Sequence, residues 1–133
     1  MALPPKAPVL AVEDDPVIQR AIARSLKGVD VVFASTGGQA LAALSDHVRP
    51  AFVLLDFMLP DMDGQELLVR LRKAERTATM PIVMFSSVSD PVRIRKALAS
   101  GANSWVTKTD DPAAFEAAVQ AICAYWMKVH THA

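Results

Sequence analysis

Five short, mostly apolar runs are spaced along the chain and separated by segments of helical periodicity. The runs cover residues 9–12, 29–34, 51–55, 82–85 and 104–106. Short apolar runs that are bounded by turn residues are typical of strands buried on both faces of a parallel sheet. The pattern therefore predicts five strands.

A segment with helical periodicity follows each run. In the first segment, Ile18, Ile22 and Leu26 recur at the spacing of residues on the buried face of a surface helix. Three of the segments begin with an Asp-Pro pair, at residues 15–16, 90–91 and 111–112. A capping Asp followed by proline is a common helix start. Five strand–helix repeats predict an α/β fold, a doubly wound five-stranded parallel sheet with five helices on its two faces.

The composition agrees with one globular domain. Of the 133 residues, 52% are hydrophobic and 21% are charged, which supplies a core and excludes a disordered chain. Fourteen basic and fourteen acidic residues cancel, so neither nucleic acid nor a membrane surface is a predicted partner. We predict a single domain over residues 1–133, with an irregular lead over 1–8 and no output domain.

Three features predict a cytoplasmic location. Pro4, Pro5 and Pro8 interrupt the apolar start of the chain, which therefore lacks the continuous core of a signal peptide. No run of about 18 apolar residues is present to span a membrane. The single cysteine, Cys123, cannot form an internal disulfide bond and fits a reducing compartment.

Chemically distinctive side chains follow the predicted strands. The third strand ends abruptly in Asp56, the first is followed by Glu13 and Asp14, the fourth by Ser86 and the fifth by Lys108. Ligands of open parallel sheets bind at the carboxyl ends of the strands, and these residues converge there if strand one lies between strands two and three. Alone, each could be a cap, a turn residue or a surface lysine.

Together these residues predict a phosphoryl-accepting site. Crowded carboxylates repel by about 4 kcal/mol per pair at 4 Å and an effective dielectric near 20. Such a cluster either raises its pKa values or holds a divalent cation, and hard oxygen ligands suit Mg²⁺. A lysine and a hydroxyl on the other side can hold the remaining oxygens of a phosphoryl group on Asp56.

The motifs around these residues resemble the receiver domain of two-component response regulators, over nearly the whole chain. The matching segments are 12–16 (Val-Glu-Asp-Asp-Pro), 54–64 (Leu-Leu-Asp-Phe-Met-Leu-Pro-Asp-Met-Asp-Gly), 85–87 (Phe-Ser-Ser) and 101–108 (Gly-Ala-Asn-Ser-Trp-Val-Thr-Lys). The resemblance implies a flavodoxin/CheY-like fold with strand order 2-1-3-4-5. It also implies a phosphorelay signalling protein that is not an enzyme, although it assists its own phosphorylation and dephosphorylation.

The resemblance assigns roles at the acidic end of the site. Asp56 would be the phosphoacceptor for a sensor histidine kinase. Asp14, Asp56 and the backbone carbonyl of Met58 would bind Mg²⁺ directly, and Glu13 would bind it through water. By the same resemblance, Met58 and Val88 lie where side chains influence the attacking water. Because both are apolar, a long-lived phosphorylated state is expected.

The resemblance also assigns a switch, with two departures from the family pattern. Ser86 would be the switch hydroxyl, Trp105 the switch aromatic and Lys108 the phosphate-binding lysine. The family usually has proline after the lysine. Here Thr109 follows it, so no cis bond is expected, because a non-proline cis peptide costs about 2.5–4 kcal/mol. Trp105 is bulkier than the usual Tyr or Phe and should swing inward less fully.

A narrower resemblance and three alternatives complete the functional prediction. The missing proline and the aromatic end of the last helix resemble small regulators paired with bacterial phytochrome kinases. The first alternative is a dehalogenase-type hydrolase, which needs a second Asp at the position of Met58. The second is a nucleotide-binding protein, which needs a Gly-rich loop at the position of Glu13-Asp14-Asp15. A degenerate receiver, acting as an interaction module without phosphorylation, is the third alternative.

The last predicted helix, over residues 113–129, has more apolar surface than the sheet can cover. One stripe comprises Phe115, Val119, Ile122, Trp126 and Val129, and a second flank comprises Ala114, Ala117, Ala118, Ala121 and Tyr125. We predict a homodimer through this helix, in which basic residues of the fourth helix pair with Asp110 and Asp111 across a two-fold axis. The alternative is that the alanines are good helix formers that tolerate water.

Overall fold

The computed structural model describes residues 7–129, and its five strands form one sheet in the order β2-β1-β3-β4-β5. The strands are β1 (Val9–Val12), β2 (Val31–Ala34), β3 (Phe52–Leu55), β4 (Ile82–Ser86) and β5 (Ser104–Thr107). All neighbouring pairs are parallel. The predicted fold class and strand order are therefore confirmed, while most of the predicted lead over 1–8 lies outside the described residues.

Five α-helices connect and follow the strands. They are α1 (Pro16–Ser25), α2 (Gly37–Ser45), α3 (Gly64–Lys73), α4 (Pro91–Ala99) and α5 (Pro112–Ala124). Each begins after a residue whose side chain accepts a hydrogen bond from the first turn, including the three predicted Asp caps. Over residues 7–129, every helix is too short or too polar to cross a lipid bilayer.

Two boundaries differ from the prediction by more than one residue. Strand β2 begins at Val31, because the chain turns through Gly28, whose φ of +83° suits glycine, and the N–H of Val29 bonds to Leu26. The α-helical part of the last helix ends at Ala124 and continues as a π-helix over Tyr125–Val129. The backbone widens where the two large rings of Tyr125 and Trp126 follow each other, with their centroids 4.8 Å apart.

The sheet has a hydrophobic core on each face. One core packs α1 and α5 against the sheet and includes Ile22, Phe52, Phe85 and Phe115. The other packs α2, α3 and α4 and includes Leu44, Leu55, Leu67, Leu71 and Met84. Strands β1 and β3 are buried throughout, which explains why both read as continuous apolar runs.

The two faces of α5 differ as the sequence predicted. Its first stripe is buried as far as Trp126, and the side chain of Val129 lies outside the described residues. On the second flank Ala118 is half-buried, while the other members are exposed, namely Ala114, Ala117, Ala121 and Tyr125. An exposed apolar flank is therefore a feature of the folded chain.

Arg72 joins α3 to the two loops that precede β4 and β5. Its guanidinium donates from Nε to the carbonyl of Gly101 at 2.9 Å, from Nη1 to the carbonyl of Met80 at 2.7 Å, and from Nη2 to Oδ1 of Asn103 at 3.0 Å. The same Asn103 oxygen accepts the N–H of Ile82 at 2.8 Å. Burial lowers the pKa of Arg72, and the backbone carbonyls together with the Asn103 side chain supply the acceptors that its guanidinium needs in this part-buried position.

We predict that Arg72→Lys lowers the free energy of unfolding by about 2 kcal/mol, because lysine cannot reproduce the planar fork and leaves part-buried carbonyls unpaired. Urea unfolding measures the change. The matched control is Arg70→Lys on the same helix, whose partner Glu66 at 2.9 Å is exposed, so its effect should stay below about 0.5 kcal/mol. Equal losses in the two variants would contradict a special role for Arg72.

Candidate functional site

The carboxyl ends of β1, β3 and β5 surround a cleft of about 470 Å³. Val12 pairs with Leu55 at the end of the β1–β3 ladder, so the next residues of the two strands, Glu13 and Asp56, lie side by side. Lys108 follows β5 and lines the same cleft. The parallel register therefore brings together side chains that are far apart in sequence.

Three carboxylates are grouped in this cleft. Oxygens of Glu13, Asp14 and Asp56 lie within 4.8 Å of one another. Glu13 and Asp56 are 3% and 9% exposed, whereas Asp14 is open to solvent. Burial raises the pKa of Glu13, Lys108 opposes that rise, and the nearby charge of Asp56 adds to it. A group of hard oxygens with one open member fits a partly hydrated divalent cation.

Lys108 supplies the positive charge of the site. Its Nζ forms a close ion pair with Oε1 of Glu13 and lies 3.3 Å from Oδ2 of Asp56. Its side chain is only 11% exposed, and its backbone N–H donates to the carbonyl of Ser86 at 2.9 Å. The lysine is thus fixed beside β4 and offsets the charge of two buried carboxylates.

Hydrogen bonds and a β-bridge fix the loop after β3 at several points. The N–H of Met58 lies 3.4 Å from Oδ1 of Asp56, and Met58 forms an isolated antiparallel bridge with Asp63. Asp61 accepts the N–H groups of Gly37 and Gly38, both at 2.9 Å, and these bonds lower its pKa. The carboxylate caps α2 from outside the helix.

Sequence reasoning missed this link between Asp61 and α2. The two partners are 24 positions apart, and Asp61 has no local pattern that marks it as a cap. The only available signal was the pair Gly37-Gly38 at a helix start, where unpaired N–H groups need acceptors.

Gly64 is required by the close approach of α3 to the end of β3. A Cβ at this position would lie 2.5 Å from the carbonyl oxygen of Asp56 and 2.8 Å from the Cα of Phe57. Both atoms belong to the backbone and cannot move aside cheaply. The sequence indicated a turn at Asp63-Gly64, but not that this glycine lets the loop close over the candidate site.

Ser86 and Trp105 meet at the backbone of Val88. Ser86 is buried, and its Oγ accepts the N–H of Val88 at 3.2 Å. The indole Nε1 of Trp105 donates to the carbonyl of Val88 at 3.1 Å. The next residue, Ser87, is exposed and lines the cleft. Ser87 is therefore a cleft residue that the sequence analysis did not single out.

Thr109, the departure from the family pattern, also lines the cleft. Its Oγ1 accepts the N–H of Asp111 at 3.2 Å, which starts the turn into α5. No peptide bond among residues 7–129 is cis, in agreement with the expectation for this position.

Comparison with known proteins identifies the family. Residues 9–120 match the family model described as the response regulator receiver domain. The chain is 36% identical over 118 residues to the DNA-binding dual master transcriptional regulator RpaA of Synechocystis sp.. The aligned region covers 86% of this chain and 48% of RpaA. The chain thus spans about half the length, or less, of the first curated relatives that it matches.

Solved structures give the same result. The phosphorylated cyanobacterial phytochrome response regulator RcpA aligns with a TM-score of 0.89 at 25% identity, covering 94% of this chain and 96% of RcpA. The response regulator RPA3017, from red light signaling of R. palustris, aligns with a TM-score of 0.80 at 26% identity. The alignment covers 92% of this chain and 95% of RPA3017. The matched fold and the family model together show that the chain belongs to the response regulator receiver domain family.

Proposed function

We propose that this chain accepts a phosphoryl group on Asp56 from a sensor histidine kinase. The observation that carries the proposal is the position of the Asp56 carboxylate. It lies at the end of β3, grouped with the carboxylates of Glu13 and Asp14 and 3.3 Å from the ammonium of Lys108. A carboxylate between other acids and a fixed cation suits the transfer of a group that carries negative charge.

The transfer requires little from the protein beyond positioning. A carboxylate oxygen of Asp56 attacks the phosphorus of a phosphohistidine, and the new P–O bond forms as the P–N bond breaks. The electron pair stays on the histidine nitrogen, which takes a proton, and the product is an aspartyl phosphate. The Nζ of Lys108 is within reach of the new phosphoryl oxygens, and Ser87 lines the same cleft.

The donor set also fits Mg²⁺, the expected metal of the site. Asp14 and Asp56 would hold it directly, together with the backbone carbonyl of Met58, and Glu13 would hold it through water. When bound, the cation supplies neutralising charge for the phosphoryl oxygens. Asp14 is exposed, so a cation can reach it from solvent without any rearrangement of the core.

A readout of phosphorylation is proposed at the face formed by α4, β5 and α5. The Oγ of Ser86 accepts a hydrogen bond from the N–H of Val88, and the indole N–H of Trp105 donates one to the carbonyl of Val88. In this proposal Ser86 rotates to donate its hydroxyl to a phosphoryl oxygen on Asp56, so that its Oγ no longer accepts the N–H of Val88. Trp105, the proposed switch aromatic, then shifts with the β4–α4 segment and changes the surface that a partner meets.

The proposed phosphate donor is a bacterial phytochrome kinase. RcpA is a phytochrome response regulator and RPA3017 belongs to red light signaling, and both share the fold of this chain over more than nine-tenths of its length. The Thr109 that replaces the usual proline agrees with that group. The proposal concerns the class of kinase, since the signal depends on the kinase's own sensor.

We predict that Asp56→Asn abolishes phosphorylation, because the amide is not a nucleophile at neutral pH. Wild type incubated with Mg²⁺ and acetyl phosphate, or with a phosphorylated phytochrome kinase, should form a hydroxylamine-sensitive acyl phosphate that mass spectrometry places on Asp56. The matched control is Asp30→Asn, an exposed aspartate at the opposite end of the sheet, which should label like wild type. A wild type that never labels would favour the phosphorylation-independent interaction module.

Removal of one carboxylate should weaken the metal site selectively. We predict that Asp14→Asn lowers Mg²⁺ affinity by about tenfold or more, because removing a charged direct ligand should cost at least as much as removing a residue that only orients a ligand. Asp15→Asn is the control: Asp15 lines the same cleft, but its carboxylate caps α1 by accepting the N–H of Val17 at 2.8 Å, and asparagine caps equally well. Titration calorimetry measures both, and equal losses would remove Asp14 from the metal site.

The exposed flank of α5 supports a homodimer as the second part of the proposal. Its exposed alanines and Tyr125 form an apolar surface, and Arg93 and Arg95 are exposed on α4. Asp110 and Asp111 are exposed at the start of α5. Opposite charges on two elements of one copy can pair with those of a second copy across a two-fold axis, because such an interface presents the same patch twice.

We predict that wild type dimerises at high micromolar concentration and that Tyr125→Glu dissociates the dimer, because it places a charge in an apolar contact. Light scattering with and without beryllofluoride measures the mass. Val17→Glu, which puts the same charge on an exposed apolar residue of α1, should leave the dimer intact. A monomeric wild type in both states would refute the dimer, and a dimer that survives Tyr125→Glu would place the interface elsewhere.

A further inference from the structure

The cleft has two chemically different walls. Glu13, Asp14 and Lys108 give the cleft its charged lining, and Met58, Leu59 and Pro60 of the loop after β3 give it an apolar lining, which we call the apolar wall. Any water that reaches a group on Asp56 from the loop side passes side chains that offer it no strong hydrogen-bond partner. The chemistry of this wall therefore affects how long an acyl phosphate on Asp56 survives.

Met58 is the accessible member of the apolar wall. Its side chain is 64% exposed. Among residues 7–129 the other methionines are shielded: Met84 is buried, and Met62, Met80 and Met127 are partly buried. Since oxidation of a thioether depends on access to its sulfur, Met58 is the methionine of this set that a peroxide meets first.

The position of Met58 is fixed with respect to Asp56. Its backbone N–H lies 3.4 Å from Oδ1 of Asp56, and its bridge to Asp63 holds the loop closed. Gly64 allows α3 to begin directly against the end of β3. A chemical change in the Met58 side chain is therefore made at the mouth of the site, not on a distant surface.

We infer that Met58 is a redox-sensitive modification site whose oxidation to the sulfoxide shortens the lifetime of the phosphorylated state. In the oxidation, the sulfur loses two electrons to hydrogen peroxide, an S–O bond forms, the O–O bond breaks and water is released. The sulfoxide oxygen is a strong acceptor, so it can hold a water at the wall where the thioether held none. The inference rests on the proposed phosphorylation of Asp56.

The first measurement locates the oxidation. Limited hydrogen peroxide followed by peptide mass spectrometry should show the sulfoxide of Met58 forming before those of Met62, Met80, Met84 and Met127. This measurement is independent of phosphorylation. Oxidation of one of the shielded methionines ahead of Met58 would overturn the inference, whatever the function of the chain.

The second measurement follows the loss of acyl phosphate after acetyl phosphate has been removed. Peroxide treatment should shorten the half-life of wild type about two- to tenfold, the factor that one net hydrogen bond is worth. In Met58→Leu, which keeps every other methionine, peroxide should change nothing. Met58→Gln should have a short half-life without peroxide, because its amide oxygen replaces the sulfoxide, and methionine sulfoxide reductase should restore the treated wild type.

The outcomes separate the two proposals. A half-life that is unchanged by Met58 oxidation, or shortened equally in Met58→Leu, would overturn this inference and leave phosphorylation of Asp56 intact. A chain that labels nowhere would overturn the proposed function, and this inference with it.

Discussion

Two carboxylates that are buried side by side set the central electrostatic constraint of this protein. Glu13 and Asp56 end neighbouring strands and are almost fully shielded from water. Two like charges in that position are tolerated only with a compensating cation, and Lys108 provides one from β5. The site is therefore electrostatically incomplete without a positive partner, whether that partner is the lysine or a divalent cation.

The rest of the fold keeps those three strand ends in register. Strands β1 and β3 are buried on both faces, so their register cannot slip without exposing apolar residues. On the loop side, Asp61 ties the segment after β3 to the first turn of α2, and Gly64 lets α3 approach the backbone of Asp56. Arg72 connects α3 to the approaches of β4 and β5. A small number of polar contacts thus position loops that the cores do not reach.

Much of this could be predicted from the sequence, because the decisive signals are local. Buried strands read as apolar runs, Asp-Pro pairs mark helix starts, and parallel strands collect their final residues at one edge. The prediction failed where two distant segments decide the geometry. The contact of Asp61 with α2 and the five hydrogen bonds of Arg72 have no local pattern, and the sequence pattern does not distinguish the π-helix over Tyr125–Val129 from a continuing α-helix. Ser87 was missed because the sequence pattern does not tell which of two adjacent serines lines the cleft.

The residue after the acceptor links the cleft to α4. The ring centroid of Phe57 lies 5.9 Å from that of Trp105, and the guanidinium carbon of Arg93 lies 5.3 Å from the ring centroid of Phe57. Trp105 in turn donates a hydrogen bond to the carbonyl of Val88, and the N–H of Val88 donates one to Ser86. A displacement at the end of β3 therefore affects two contacts of Phe57, the aromatic contact with Trp105 and the cation–π contact with Arg93. An exposed cation–π contact is typically worth about 0.5–1 kcal/mol. The contact of Arg93 with Phe57 is weak and solvent-exposed, whereas the indole of Trp105 is half-buried and hydrogen-bonded. A displacement of Phe57 should therefore move the first turn of α4, which carries Arg93, before it moves β5.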